Sequence, residues 1–146
     1  MVKNGMRFEK SCGAVVYTRI DDKIIYLLIR EKNGFWVFPK GHMEFEETEH
    51  ETARREIKEE TSIDVRFIDG FRYMDEHSLA REGHPEIMKQ TIFFLAEYER
   101  QDYYPQESEI AEIELVEYEL AMEKIQLDNF KRILVEADLF LKQKIE

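Results

Sequence analysis

The rhythm of apolar and polar positions changes along this chain, and each change marks an element. Residues 11–18 and 23–29 are rich in β-branched and aromatic side chains, as strands of a packed sheet are. The Asp21-Asp22 pair between them predicts a hairpin turn. Asn33-Gly34 marks another turn before the aromatic run Phe35, Trp36 and Phe38, and Pro39, Lys40 and Gly41 read as a loop. From Thr48 to about Glu60 the period lengthens to that of a helix, and Thr48 with Glu51 fits a capping box at its start. Strands are expected again at residues 65–68 and 71–74, around a turn at Asp69-Gly70, and then at 91–98 and 113–116. Residues 79–85 read as a loop, and the wider stretch 75–88 carries no legible period. Near the end, Phe130, Ile133, Leu134, Ala137 and Leu141 share the spacing of an amphipathic helix, with Asp128 as its cap. Strands, a helix, more strands and a terminal helix predict an α/β fold with a mixed β-sheet between helices.

Composition narrows the class. A chain of 146 residues is expected to form one domain, residues 1–146, and to bury a real core. Its 43% hydrophobic and 12% aromatic content exclude general disorder. A net charge of −11 argues against nucleic-acid and anionic-membrane partners. The first residues lack the apolar stretch of a signal peptide, and no run approaches membrane-spanning length. Cys12 is the single cysteine, so no internal disulfide can form, and it lies in an apolar run where a buried strand position is expected. A soluble protein of a reducing, cytoplasmic setting is expected. Nothing in the pattern speaks to oligomeric state.

Charge patterning is most informative on the first helix. Glu56, Glu59 and Glu60 are spaced i, i+3, i+4 and share one face, and Glu49 and Thr52 extend the stripe toward the helix start. Ala53 and Ile57 lie to one side and can pack the helix on a sheet. Like charges at these spacings repel, so a bare stripe is mildly destabilising. A hard divalent cation such as magnesium reverses that sign, because it takes carboxylate oxygens together with water and phosphate. Taken alone, the stripe reads equally as a solvated acidic face.

The surrounding residues break the tie. Gly41, five residues, Glu47, seven residues, Arg55-Glu56-Ile57, one residue, Glu59-Glu60, one residue, Ser62-Ile63 resembles the signature of the Nudix hydrolase family at every specified position but one. Ser62 stands where the family carries glycine, which puts only the helix end in question. The resemblance covers nearly the whole chain. Pro39-Lys40-Gly41-His42, the early strands and residues 70–74 look most like the asymmetrical diadenosine tetraphosphate hydrolases within that family. It implies a Nudix-like α/β/α sandwich and magnesium-dependent hydrolysis of a phosphoanhydride bond in a small-molecule nucleotide, with manganese as an alternative ion. In the implied site Glu56, Glu59 and Glu60 hold metal, Glu56 also acts as base, Arg55 orients Glu56, and Glu47 braces the loop. Glu109 adds a metal ligand from outside the helix, and the Lys40 carbonyl often binds metal in relatives. Lys40 and Lys89 can meet phosphate. His42 either donates to phosphate or fixes its loop, and Phe93 either stacks on a base or packs the core. His50, His77 and His84 have no ligand spacing. Rival readings are nucleoside triphosphate, ADP-ribose, capped-RNA or inositol pyrophosphate hydrolysis, and a Nudix-like binding module without catalysis.

Overall fold

The computed structural model describes residues 2, 3 and 5–145. Strands β1 (Val2–Lys3), β2 (Met6–Ile20), β3 (Lys23–Glu31), β4 (Trp36–Val37) and β5 (Lys40–His42) precede helix α1 (Glu49–Thr61). Then come β6 (Arg66–Leu79), a 3₁₀ turn (Ala80–Glu82), β7 (His84–Glu97), β8 (Ile110–Val116), α2 (Tyr118–Lys124) and α3 (Asp128–Ile145). The strands run in the order β4-β3-β2-β7-β6, with β8 on β3 and β5 on β2. β2 pairs parallel with β7 and antiparallel with β3, so the sheet is mixed.

The layers follow from the two-residue period of β7. Phe94 turns to one side and stacks on His50 of α1, with ring centroids 3.9 Å apart. Its neighbour Phe93 turns to the other side and meets Phe130 of α3 edge to face at 5.8 Å. Adjacent residues thus face different helices, which makes an α/β/α sandwich. Phe38 packs edge to face with both Phe93 and Phe130, and each such pair adds about 1 kcal/mol beyond burial. Cys12 is buried as expected, and burial pushes its thiol up to about 11, so it is a packing residue. No helix among the described residues is long and apolar enough to cross a membrane.

The capping box of α1 forms as the sequence predicts. The Glu51 N–H donates to Thr48 Oγ1 at 3.1 Å, and the Thr48 N–H donates to Glu51 Oε1 at 2.8 Å, an arrangement that contributes about 1 kcal/mol. At the other end Ser62 adopts the left-handed conformation, φ 69° and ψ 9°, and its N–H closes on the Lys58 carbonyl. Ser62 therefore takes the glycine conformation at a steric cost.

Several expectations are corrected. Residues 75–79 and 84–88 are not loop: they continue β6 and β7 as a hairpin closed by the 3₁₀ turn. Most of this edge hairpin is exposed or half-exposed on both faces, so it has no hydrophobic alternation to read. Asp69-Gly70 is not a turn between two strands. It sits in a bulge within β6, where the register against β7 slips between Phe67 and Arg72 and Gly70 takes φ 97°. Lys40 and Gly41 form β5 rather than a loop, pairing with Gly13 and Cys12. Asp128 is the first residue of α3 rather than its cap, and there its charge suits the helix dipole.

Candidate active site

The site begins where β5 passes beneath α1. Gly13 and Gly41 permit this approach: a Cβ at Gly13 would overlap the Pro39 carbonyl, and one at Gly41 would overlap the Glu56 carboxyl. The loop from β5 to α1 is gathered by Glu47. Its Oε1 accepts from the Glu44 N–H at 2.9 Å, Thr52 Oγ1 at 2.8 Å and Arg55 Nη2 at 3.0 Å, and its Oε2 accepts from Arg55 Nε at 2.7 Å. These donors hold the Glu47 carboxyl at about 2.

Arg55 uses its whole fork. Besides Glu47, it donates to the His42 carbonyl at 2.9 Å, to Glu56 Oε1 at 2.9 Å and to both Glu59 oxygens at 3.3 and 3.4 Å. One guanidinium thus fixes the loop and aligns two carboxylates of the stripe, a geometry its planar donors suit. Glu49 points elsewhere: Arg72 donates to it twice at 2.9 Å and Lys10 pairs with it. It extends the stripe in sequence but is neutralised away from Glu56.

Glu60 is the most buried of the stripe, 5% exposed, and its Oε1 accepts from the Lys40 N–H at 3.2 Å. Burial first, and then the charge of Glu56, push its carboxyl up to about 8. Glu56 is also raised, by burial against the opposing pull of Arg55, and the charges of Glu59 and Glu109 push it the same way. Glu109 occupies the turn before β8, where its N–H meets the Gln106 carbonyl, and the Gln106 N–H in turn ties this segment to the Glu60 carbonyl. The structure therefore brings Glu56, Glu59, Glu60 and Glu109 into one electrostatic neighbourhood. Glu31, at the end of β3, joins them: its charge raises Glu60. Glu31 carries no motif, and only the sheet register, which sets it against Ile110, draws it in.

Among the described residues no three carboxylate, imidazole or thiol groups are gathered into a metal cage. Arg55 draws in Glu56 and Glu59, and the Lys40 N–H draws in Glu60. The donor set nonetheless fits a hard divalent ion. It offers carboxylate oxygens only, and two members are raised in part by neighbouring negative charge, which a cation would offset.

Beside the carboxylates lies a cleft of about 670 Å³. Lys40 and Lys89 line its near end, and the Lys89 ammonium is lowered by burial and then by the charge of Lys40. Phe93 is fully buried and contributes to the floor. His42 is exposed, and its carbonyl rather than its ring has a described partner. His77 also lines the cleft, which its lack of ligand spacing did not suggest, whereas His84 pairs with Glu86. Phe35 and Phe130 supply apolar walls that the sequence left among turn and core residues. Tyr103 lines a separate cavity at the far ends of β2 and β7, and the Tyr104 N–H binds the Thr61 carbonyl, so neither borders this cleft.

The fold and the site define a mixed-sheet sandwich whose first helix turns glutamates toward a cleft with lysines that have no ion pair among the described residues. The family model of the NUDIX domain matches residues 9–137, and the chain belongs to that family. The asymmetrical bis(5′-nucleosyl)-tetraphosphatase of Mus musculus is 34% identical over 99 residues, covering 60% of this chain and 64% of that protein. Its Sus scrofa counterpart is 38% identical over 74 residues, covering 43% of this chain and 50% of that protein. The chain thus spans about half to two thirds of the length of these curated relatives. A Caenorhabditis elegans Ap4A hydrolase solved as a binary complex superimposes with a TM-score of 0.82 at 23% identity, covering 92% of this chain and 98% of that one. The NUDIX domain of Shewanella oneidensis NrtR, complexed with ADP ribose, superimposes with a TM-score of 0.74 at 15% identity, covering 92% and 89%. These structural likenesses speak for the fold.

Proposed function

We propose that the chain is a magnesium-dependent hydrolase that cuts a phosphoanhydride bond in a nucleoside polyphosphate, and that its substrate is diadenosine tetraphosphate, cleaved asymmetrically to ATP and AMP. The observation that carries the chemistry is the adjacency of the Glu56–Glu60 carboxylates to a cleft whose nearest cations, Lys40 and Lys89, are unpaired among the described residues. The substrate rests on likeness to the tetraphosphatases.

Glu56, Glu59 and Glu60 would hold the metal, with Glu109 and the Lys40 carbonyl completing the set. Magnesium held there would supply Lewis-acid stabilisation of charge on the phosphate oxygens. Glu56 takes a proton from the attacking water as its oxygen bonds to phosphorus, and the bridging P–O bond breaks toward the leaving phosphate. Arg55 positions Glu56, and Glu47 positions Arg55. Lys40 and Lys89 neutralise phosphate charge, Phe93 supports the cleft floor, and His42 holds the loop through its carbonyl. The buried single thiol suits a reducing cytoplasmic setting.

The test compares kcat/KM for diadenosine tetraphosphate, ATP, dGTP and ADP-ribose at one magnesium concentration, with products identified chromatographically. The expected result is a preference for diadenosine tetraphosphate with release of ATP and AMP. A preference for another substrate, or release of two ADP, overturns the substrate assignment. No turnover of any of them favours a binding module.

A further inference from the structure

Most cations of this acidic chain are committed. Lys10 and Arg72 pair with Glu49, Arg30 with Glu112, Lys124 with Glu114 and Lys142 with Asp138. Among the described residues Lys32, Arg100 and Lys131 also have no ion pair and lie outside this cleft, but four further exceptions share it. Lys40, Lys89, Arg81 and Arg132 all line the 670 Å³ cleft, and among the described residues none of their side chains has an ion pair or hydrogen bond. Lys40 and Lys89 belong to the carboxylate end. Arg81 lies in the 3₁₀ turn at the hairpin tip, and Arg132 lies on α3, which borders the cleft from another side.

A side-chain bond ties α3 to β6 beside the cleft. Asn129 of α3 donates to Asp75 of β6 at 3.1 Å, and Asp75 pairs in register with Thr91 of β7. Arg132 follows Asn129 by three residues and so projects from the same side of the helix. The cleft also contains Glu31, Asp75, Glu76 and Glu82. Asp75 is bound by Asn129 and Glu76 by Gln90, and among the described residues no carboxylate comes within ion-pair reach of Arg81 or Arg132. Four cations against four acids leave this concavity near neutral in a chain of net charge −11.

We propose that Arg81 and Arg132 form an anion clamp in this cleft that holds the phosphates of a polyphosphate chain lying beyond Lys40 and Lys89. The clamp rests on the reading of the cleft as a nucleoside polyphosphate site. Both guanidiniums are exposed, so each is expected to contribute an effect of several-fold, as solvent-screened ion pairs do. Arginine suits the role because its donor fork engages phosphate oxygens two at a time.

Titration calorimetry in EDTA, where hydrolysis does not interfere, provides the test. Adenosine 5′-tetraphosphate and AMP are titrated into the wild-type chain and into Arg81→Gln, Arg132→Gln and Lys131→Gln. Lys131 is adjacent on α3 but outside the cleft lining, so its variant reports the general effect of removing one charge. Each clamp variant is expected to weaken tetraphosphate binding about 3–10-fold, with AMP unchanged and Lys131→Gln near wild type. Equal tetraphosphate binding in all four proteins overturns the clamp. So does an equal loss in Lys131→Gln, or wild-type affinity for tetraphosphate no greater than for AMP. Turnover with magnesium is scored separately. Arginine-dependent tetraphosphate binding in a chain that cleaves no dinucleoside polyphosphate retains the clamp and removes the hydrolase reading.

Discussion

Replacing Ser62 by glycine perturbs one dihedral and leaves the carboxylate face untouched. Ser62 sits at φ 69° and ψ 9°, where its N–H caps α1 on the Lys58 carbonyl. A residue with a Cβ bears about 1–2 kcal/mol in this left-handed region. Glycine removes that strain but adds about 0.5–1 kcal/mol of unfolded-chain entropy to be lost on folding. The Ser62 hydroxyl reaches the Tyr104 carbonyl only at 3.5 Å, a length at which a hydrogen bond contributes little. The Lys58 ammonium bonds the carbonyl of residue 62, which every substitution keeps. The balance is a stabilisation of about 0.5–1 kcal/mol, or about 1–4 °C in Tm for a chain of this size. Scanning calorimetry of wild type, Ser62→Gly and Ser62→Ala in the same buffer provides the assay. Alanine keeps the strained φ without the hydroxyl, so it should fall at or below wild type while glycine rises above it. A glycine variant at or below wild type would refute the account of the cap. A large gain in turnover would show that residue 62 shapes the site as well as the helix end.

Glu56→Gln keeps size and removes charge, and should cut kcat by about 100-fold or more with Tm little changed; near-normal turnover removes Glu56 from the site. Gly41→Ala places a methyl group where the Glu56 carboxyl lies, so kcat should fall about 100-fold, as misplacing a catalytic group can. Unchanged kcat would mean that the position of that carboxylate is immaterial. Glu109→Gln should impair turnover well beyond Glu107→Gln, because Glu109 is the member whose charge reaches Glu56; equal small effects remove it. In EDTA the raised Glu60 carboxyl, at about 8 when folded, makes the native state bind more protons than the unfolded one. Its term is therefore most favourable below the ordinary glutamate value and is lost as pH rises to about 8. Glu60→Gln should flatten urea-measured stability across that window, and an unchanged profile would assign the slope elsewhere.

The sandwich was legible because its central elements carry strong local signals. The buried runs of β2, β3 and β7 and the capping box of α1 each satisfy a local rule and the global fold together. The hairpin at 75–88 was not legible, because an edge that is largely exposed on both faces imposes no alternation. The carboxylates of the box were legible as a stripe, since helical spacing alone puts Glu56, Glu59 and Glu60 together. Their partners were not. Glu31 reaches the site through strand register, and Arg132 reaches the cleft through the packing of α3. Both depend on contacts between segments far apart in sequence, which no local window contains.

On the proposed function, that division would also explain how a chain of net charge −11 presents a site to a polyanion. Exposed ion pairs contribute little to stability, typically less than about 1 kcal/mol each, so the many pairs outside the cleft are better understood by what they do to the field. Each one removes a cation from competition: Arg72 and Lys10 are spent on Glu49, and Arg66 and Arg19 on Glu97. Lys40 and Lys89, half-buried and without an ion pair among the described residues, then matter out of proportion to their number, because a partly desolvated concavity focuses their charge. Arg55 is the complementary case. It is deep in carboxylates yet satisfied by four hydrogen-bonded groups, Glu47, Glu56, Glu59 and the His42 carbonyl, and the stripe it aligns keeps an excess of negative charge. On the proposed function, one end of the cleft would take a divalent cation and the rest would meet phosphate. A nucleotide bound across that boundary would place its scissile anhydride where the two meet.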